Sequence, residues 1–325
     1  MDNLEHKIVK KLLFKLVSKH IGGMTLATLL TNLRENEKNK THTTITFLNE
    51  DPTKARYNVI TYTQLIKQIS RLNMNADISL RLSQIGYGLN NTLFESYFTD
   101  IVRTAANNNI KCWIEAESDI DTQTQLSFYR KYAKKYRNLG IEISLNYPLE
   151  VGAIKKYIRS KDNIKLTSYF IKLDKSKQSK KVKNVDDNNN KNNVINTTNE
   201  DNYDGKYLLE RYISDAAKLL QTGANIFILE SDEKVIEKII RFGKEYKKNI
   251  MFELPLGSGK KWISKFVKMK INLSIYTPYG KDWVHYVTNR LTYGHHKVSS
   301  ITAKFLELNS YKENNKIGKK ENYKK

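Results

Sequence analysis

Short runs of apolar and β-branched residues recur along the chain, separated by polar turns and by longer segments of a different pattern. Each run has the length of a buried strand rather than of a helix. These runs predict eight strands, at 43–48, 76–82, 110–116, 140–145, 164–173, 225–229, 249–254 and 272–276.

The segments between the runs place their apolar residues on one face of a helix. Two examples show the spacing: Leu65, Ile66, Ile69 and Leu72 in one segment, and Phe94, Tyr97, Phe98 and Ile101 in the next. Strands that alternate with helices predict a parallel sheet. Eight such units predict an α/β fold of the (β/α)8 TIM-barrel type, which takes about 250 residues. An open doubly wound sheet is the alternative, but the sequence has no G-x-G-x-x-G turn to support it.

Changes in composition divide the chain into parts. Residues 1–40 have amphipathic spacing and are predicted to form an N-terminal helical segment, and residues 41–310 are predicted to form the barrel. Residues 174–204 are rich in Asn, Lys and Asp and nearly free of large apolar side chains. We therefore expect them to be a disordered insertion after the fifth strand. The basic tail, 311–325, has the same character and the same prediction.

The chain is strongly basic, with 56 Lys and Arg against 34 Asp and Glu and a formal net charge of +22. A charge of this size is compatible with nucleic acid, an anionic membrane surface or acidic ligands. The basic residues are spread over the whole sequence, and most tyrosines fall on apolar helix faces or in strands. The pattern therefore favours a solvated basic surface, and no nucleic-acid partner is predicted.

Cysteine usage and hydropathy bear on the compartment. Cys112 is the single cysteine, which excludes a disulfide within the chain and a cysteine-based zinc site. No apolar run approaches the roughly 20 residues of a membrane-spanning helix. We expect a cytoplasmic protein, with peripheral attachment at the inner face of the membrane as an option that the basic surface allows.

Two short motifs resemble a nucleotide-binding loop and a metal site, but each lacks a required feature. The sequence "LGSGKKW" at 256–262 lacks the glycine spacing of a phosphate-binding P-loop and has Lys261 where that motif needs Ser or Thr. His295 and His296 are adjacent, so their side chains point in different directions and do not favour a shared metal ion. No carboxylate lies three or four residues away, where a helix would place it on the same face. No metal site is predicted.

In a (β/α)8 barrel the chemistry lies at the carboxyl ends of the strands. The polar residues predicted there are Asn49–Asp51, Arg81–Gln84, Glu115–Asp119, Ser144–Tyr147, Ser168–Lys172, Glu230–Asp232, Glu253 and Tyr276–Tyr279.

Two of these blocks resemble a known family. The sequence "YTPYGKDWVHYVTNRL" at 276–291 is similar to the C-terminal signature of the proline dehydrogenases, roughly Tyr-x-Pro-Tyr-Gly-x-x-Trp-x-x-Tyr-x-x-Arg-Arg-Leu. Upstream, "ISLRLSQIGYGL" at 78–89 resembles the family's strand-2 pattern, and "WIEAESD" at 113–119 lies where the family has an acidic strand-3 motif. The resemblance extends over nearly the whole chain except 174–204 and the tail.

The resemblance implies an FAD-binding barrel that oxidises L-proline to 1-pyrroline-5-carboxylate and passes a hydride to the flavin. A quinone or another acceptor would then reoxidise the flavin. A quinone acceptor would place this step at the membrane surface. By position, Tyr276 matches the tyrosine that closes over the substrate, and Arg290 matches the second arginine that clamps the substrate carboxylate. A guanidinium group suits that role because it grips a carboxylate with two parallel hydrogen bonds.

The same comparison shows departures. Asn289 takes the place of the first clamp arginine, Arg81 that of the strand-2 lysine and Glu115 that of the strand-3 aspartate. On the flavin side, "KLTSYFI" at 165–171 lacks the family's Lys and Gly, and "LES" at 229–231 replaces a Thr-His pair. The candidate cofactor-binding residues are Ser144, Lys165, Ser231 and Glu253.

These departures leave three functions open. The first is a divergent proline dehydrogenase, with Arg81, Glu115 and Tyr276 as catalytic residues and Arg290 and Asn289 binding the substrate. The second is a catalytically degenerate barrel that acts as a binding or partner protein. The third is a flavoenzyme for another amino or imino acid, with Asn289 allowing a larger substrate.

Overall fold

The structure is a computed structural model. It describes residues 14–15, 17–38, 41–49, 51–117, 119–144, 154–167, 205–229, 236–237, 250–258, 260–284 and 286–287. The strands in this part of the chain are β1 (His42–Phe47), β2 (Ala76–Leu80), β3 (Cys112–Ile114), β4 (Leu139–Ser144), β5 (Asn163–Thr167), β6 (Asn225–Leu229), β7 (Ile250–Pro255) and β8 (Leu273–Tyr279). The helices with described bounds are α1 (Leu26–Lys38), α2 (Ala55–Arg71), α3 (Asn91–Asn107), α4 (Thr122–Ala133), α5 (Gly205–Leu220) and α6 (Lys260–Lys268).

The eight strands form one closed parallel barrel in sequence order, and β1 pairs with β8 to complete the ring. This confirms the predicted (β/α)8 fold and excludes the open-sheet alternative. A closed ring brings all the strand ends to one rim, so residues that are far apart in the sequence meet there.

Each strand sends alternate side chains to opposite faces of the sheet. In β5, Ile164 and Leu166 belong to the apolar core, whereas Lys165 reaches Glu253 on β7 and the ring of Trp113 on β3. Strands 3, 5 and 7 are not neighbours in the ring, so side chains from all three can meet only inside it. Lys165 therefore points into the barrel interior, which is rich in polar groups.

Side-chain caps determine where the helices begin, and their apolar faces determine how they pack. The Asn90 side chain accepts a hydrogen bond of 3.0 Å from the amide of Leu93 and so caps α3, and Asp121 caps α4 through the amide of Thr124 at 2.8 Å. Phe98 on α3 packs against Phe128 on α4, with ring centroids 4.7 Å apart. These contacts fix consecutive units of the outer helix layer against each other.

The N-terminal segment packs on the carboxyl end of β8. The amide of Gly22 donates to the Pro278 carbonyl at 2.8 Å, and the amide of Gly280 donates to the Gly23 carbonyl at 2.9 Å. Trp283 is fully buried, with its ring 5.3 Å from that of Phe14. The predicted helical segment 1–40 thus contains α1 and a short 3-10 helix, Ser18–His20, among its described residues.

The last strand is longer than the predicted 272–276. Pro278 and Tyr279 lie in β8, and of the next residues Gly280 takes a left-handed conformation, with φ +140°. The strand continues because Thr46 and Phe47 on β1 are the partners of Pro278 and Tyr279.

Other predictions fall on residues outside the described ranges. These are the insertion 174–204, the tail 311–325, His295 and His296, and the part of the fifth predicted strand beyond Thr167. Within the described residues, no helix combines the length and the apolar character needed to cross a membrane.

Candidate active site at the carboxyl ends of the strands

Three side chains from three strands meet at the rim of the barrel. Nε of Arg81, just after β2, lies 3.2 Å from Oε2 of Glu115, just after β3. The hydroxyl group of Tyr276 on β8 donates a hydrogen bond of 2.8 Å to Oε1 of the same carboxylate. The predicted catalytic residues Arg81, Glu115 and Tyr276 are therefore in direct contact, and each carboxylate oxygen of Glu115 has its own partner.

The loop that carries Arg81 is held by a second carboxylate. Oε1 of Glu117 accepts hydrogen bonds from the amides of Leu82 at 2.6 Å and Ser83 at 3.3 Å, and Oε2 accepts one from the Ser83 hydroxyl group. Glu115 itself extends the strand pairing, because its amide donates to the Leu80 carbonyl at 2.9 Å. Glu117 thus positions the loop, whereas Glu115 faces the interior.

The ionisation of this group follows from its surroundings. Burial disfavours the charged form of Glu115, but the charge of Arg81 and the Tyr276 hydrogen bond outweigh it and hold the pKa of the carboxyl group below its ordinary value. Burial and the nearby Glu115 charge raise the pKa of Tyr276 well above its ordinary value. At neutral pH the carboxylate is ionised, and the phenol keeps the proton that it donates.

A second ion pair lies inside the barrel. Nζ of Lys165 is 2.6 Å from Oε2 of Glu253, and neither side chain has any exposed surface. Oε1 of Glu253 accepts hydrogen bonds from the Thr44 hydroxyl group and, at 3.1 Å, from that of Ser274. The Lys165 ammonium group is also 5.6 Å from the centroid of the Tyr276 ring. The pair is therefore enclosed next to the rim cluster.

Glu142 on β4 is a third interior carboxyl group at this level. Burial is the main cause that raises its pKa, to about 8, and the charges of Glu115 and Glu253 add to the effect while Lys165 opposes it. Glu142 is the register partner of Lys165. Its environment keeps it mostly protonated at neutral pH.

Toward the amino ends of the strands the interior holds another polar group. Nε2 of His42 lies 3.3 Å from Oδ2 of Asp77, and Nδ1 of His42 lies 3.0 Å from Oγ of Ser274. Asp77 also accepts hydrogen bonds from the Lys111 amide at 3.0 Å and from Nε1 of Trp113 at 3.4 Å. Ser274 thus bonds both His42 and Glu253, so hydrogen bonds link this group to the Lys165 pair.

The remaining predicted site residues divide into two sets. Ser144 is buried at the end of β4 beside its register partner Thr167 on β5. Ser231, Asn289 and Arg290 lie outside the described residues, so their roles stay predictions. Among the described residues, no group of three or more His, Cys, Asp or Glu side chains is arranged to hold a metal ion.

The sequence is similar to curated proteins of one kind. Proline dehydrogenase 2 of Bacillus subtilis (strain 168) is 24% identical over 279 residues, which make up 84% of this chain and 84% of that protein. The protein of the same name from Bacillus subtilis subsp. natto is 23% identical over 279 residues with the same coverage. No protein-family model matches the chain.

Solved structures show the same barrel. Proline utilization A of Bdellovibrio bacteriovorus, inactivated by N-propargylglycine, superposes with a TM-score of 0.70 at 12% identity, over 92% of this chain and 36% of that one. Proline utilization A of Corynebacterium freiburgense gives a TM-score of 0.64 at 13% identity, over 94% of this chain and 34% of that one. The chain is thus similar in sequence to proline dehydrogenases and shares its fold with the solved structures. It spans about a third of the length of these two structures.

Some interior residues were not predicted from the sequence. Glu142 lies within β4 and not at its carboxyl end, where site residues of this fold are expected, although the alternation along the strand contains the signal. In "GIEIS", Gly140, Glu142 and Ser144 alternate with two isoleucines, which places Glu142 on the same face as the predicted Ser144. Asp77 on β2 and His42 on β1 also point inward, and the alternation of side chains along those strands would have identified them.

The described residues suit the polar edge of a flavin by their chemistry. A flavin ring presents mainly hydrogen-bond acceptors, and Ser144, Thr167 and Lys165 on β4 and β5 have side chains of the donor type that such a ring requires. The ammonium group of Lys165 is paired with Glu253 and has no exposed surface, so a flavin would meet it only from inside the barrel.

Proposed function

We propose that the chain oxidises L-proline, or a closely related cyclic imino acid, to the corresponding imine, with FAD as the hydride acceptor. The observation that carries this proposal is the contact of Arg81, Glu115 and Tyr276 at the carboxyl ends of three strands. All three lie in sequence blocks that resemble proline dehydrogenases: Tyr276 matches the family pattern, whereas Arg81 and Glu115 replace its lysine and aspartate with residues of the same charge. The similarity to curated proteins of that name extends over 84% of the chain.

Each residue of the cluster has a role that its chemistry supports. The ring of Tyr276 packs over the ring of the substrate, and its hydrogen bond to Glu115 fixes its orientation. Arg81 and Glu115 set the position of the substrate nitrogen. Arg290 grips the substrate carboxylate, and Asn289 adds a neutral donor. Loss of a charge at position 289 weakens the grip by about 1.5–3 kcal/mol relative to a charged donor.

A bound flavin would supply the hydride acceptor for the carbon next to the substrate nitrogen. Ser144, Lys165 and Ser231 would hold its polar edge, and Glu253 would balance the charge of Lys165. We further propose a quinone at the inner face of the membrane as the final electron acceptor of a cytoplasmic enzyme. The net charge of +22 supports contact with anionic lipid.

The test begins with the visible absorption spectrum of the purified protein, before and after addition of FAD. Flavin bands near one per chain and proline-dependent reduction of a dye are the expected results. Arg290→Ala is expected to abolish turnover and leave the far-UV circular dichroism spectrum unchanged. Arg103→Ala is the matched control, since Arg103 lies on the surface and pairs with Asp100.

A colourless protein that takes up no added FAD and reduces no dye would contradict the proposal and favour a binding or partner role. Flavin bands with dye reduction by a larger imino acid but not by proline would favour the third function. Normal turnover by Arg290→Ala would contradict the assigned clamp.

A further inference from the structure

Among the described residues near the rim, the interior of the barrel holds more carboxyl groups than cations. In the described part of the chain, Glu115 pairs with Arg81, and Glu253 pairs with Lys165. Glu142 is a third carboxyl group beside them, and no described cation forms an ion pair with it. Both of these described cations, Arg81 and Lys165, pair with other carboxylates, so no cation in the described ranges is paired with Glu142.

The position of Glu142 is fixed by strand register. It is the partner of Lys165 on β5, and it follows Ile141, the partner of Ile114 on β3. Glu115 follows Ile114, so Glu142 lies between Glu115 on one side and Lys165 on the other. Register partners in parallel strands point to the same face, so all three side chains enter the barrel.

The carboxyl group of Glu142 is buried, and no hydrogen bond to it comes from the described part of the chain. Only 8% of the residue is exposed, and among the described residues none donates a hydrogen bond to it. Buried polar side chains are nearly always hydrogen-bonded in native proteins, and those that are not call for a ligand or another explanation.

Charged and titratable groups face Glu142 from several strands. They are Arg81 of the β2 loop, Glu115 after β3, Lys165 on β5, Glu253 on β7 and Tyr276 on β8. Burial together with the two carboxylates raises the pKa of Glu142 to about 8, so the free protein holds a proton there at neutral pH. A cationic ligand could replace that proton and provide the missing charge.

We propose that Glu142 binds the positively charged secondary ammonium group of the substrate and gives up its own proton when the substrate binds. This rests on the proposed function and adds Glu142, beside Arg81 and Glu115, as the residue that pairs with the charge of the substrate nitrogen. Glu115 remains committed to Arg81 and Tyr276, whereas neither oxygen of Glu142 accepts a hydrogen bond from a described residue, so Glu142 can take up a cation once it loses its proton. The ligand class is a small cyclic ammonium acid.

Two consequences follow for binding. Each molecule of ligand releases close to one proton at pH 7, because Glu142 changes from neutral to ionised. Below about pH 8 protons compete with the ligand, so the affinity falls about tenfold for each pH unit. Above that pH the affinity is expected to level off, since the secondary ammonium group itself stays protonated.

Binding calorimetry with L-proline in two buffers of different ionisation enthalpy measures the released proton directly. Glu142→Gln has nearly the same shape and mimics the neutral state, so it is expected to fold normally. We expect this variant to bind L-proline at least tenfold more weakly, to release no proton and to lose the pH dependence below pH 8. Glu95→Gln is the matched control, because Glu95 is an exposed carboxylate paired with Lys131.

Two further probes separate the nitrogen from the carboxylate. Pyrrolidine carries the ammonium group alone, and cyclopentanecarboxylate has the same ring and carboxylate with a methylene group in place of the nitrogen. Glu142→Gln is expected to weaken the binding of pyrrolidine as much as the binding of proline. Its affinity for cyclopentanecarboxylate is expected to change less than twofold.

The inference is overturned if Glu142→Gln binds proline as tightly as the wild type with the same proton release. It is equally overturned if neither proline nor pyrrolidine binds the wild type. A failure of the proposed function would look different: proline and pyrrolidine would bind with proton release through Glu142, but no flavin and no proline-dependent dye reduction would be found.

Discussion

The hydroxyl group of Tyr276 on β8 donates a hydrogen bond of 2.8 Å to Glu115 after β3, across 161 residues of sequence. Both side chains are buried, and Arg81 reaches the other oxygen of the same carboxylate. The bond spans three steps around the ring, from β8 past β1 and β2 to β3. The closed barrel is therefore what allows the aromatic ring and the carboxylate to orient each other.

Tyr276→Phe tests this relationship while it keeps the aromatic ring. Burial raises the pKa of Glu115, and the hydrogen bond from Tyr276 lowers it. Without that hydroxyl group the pKa of Glu115 therefore rises. We expect kcat/KM for proline to fall about 10- to 100-fold, the cost of a hydrogen bond to a charged group. The acid limb of the pH profile of kcat/KM should also move to higher pH, and steady-state kinetics across pH measures both effects.

Tyr57→Phe is the matched control, because the Tyr57 side chain is 56% exposed and should leave the profile in place. An unchanged acid limb in Tyr276→Phe, with activity near that of the wild type, would show that the hydrogen bond does not set the ionisation of Glu115.

The sequence predicts the ring and the rim but not the pairing inside it. Alternating patterns are enough to predict eight strand–helix units. The strand ends give ranges of polar residues, and the resemblance to proline dehydrogenases selects Arg81, Glu115 and Tyr276 from them. Which interior cation meets which carboxylate depends on strand tilt and stagger, which bring Lys165 of β5 to Glu253 of β7. Those relations are properties of the closed ring and have no local signal in the sequence.

The buried Lys165–Glu253 pair is expected to behave as a coupled unit. Lys165→Met leaves the Glu253 charge buried without a counter-charge, which should lower the free energy of unfolding by about 3–5 kcal/mol. Glu253→Gln should cost a similar amount, because it leaves the ammonium group uncompensated. The double variant removes both charges, so its loss should be clearly smaller than the sum of the two single losses.

Urea denaturation of the four proteins at neutral pH measures this coupling. Lys265→Met with Glu237→Gln serves as the control cycle, since that pair is exposed and should couple by less than about 1 kcal/mol. Additive losses in the buried cycle would mean that Lys165 and Glu253 do not stabilise each other.

Asp77 gives the stability of the fold a defined dependence on pH. Burial disfavours the charged form of Asp77. The hydrogen bond and the charge of His42, together with Lys111, outweigh burial and lower the pKa of Asp77. A carboxyl group with a depressed pKa in the folded state stabilises the fold above its unfolded pKa, and this contribution is lost as the pH falls through the folded value.

Asp77→Asn should therefore lower the free energy of unfolding by roughly 1–3 kcal/mol at neutral pH. The variant should also lose less of its remaining stability than the wild type between about pH 6 and about pH 3. Urea titrations at several pH values provide the measurement, with Asp100→Asn on the surface as the control. Parallel pH curves for wild type and Asp77→Asn would rule out this role for Asp77.

Gly140 on β4 leaves space that the indole ring of Trp113 occupies. A Cβ atom at position 140 would lie 2.5 Å from Cζ3 of Trp113, well inside van der Waals contact. The indole cannot move easily, because it packs 4.4 Å from the ring of Phe227 and donates a hydrogen bond to Asp77. Gly140→Ala should therefore destabilise the protein by about 1–3 kcal/mol through overpacking.

The same substitution in a Trp113→Phe background separates overpacking from a general effect on β4. The smaller ring leaves room for the added methyl group, so Gly140→Ala should cost less there than in the wild type, and the two substitutions should be non-additive. Urea denaturation followed by far-UV circular dichroism compares the four proteins without relying on tryptophan fluorescence. An equal cost of Gly140→Ala in both backgrounds would show that the contact with Trp113 is not what requires glycine at this position.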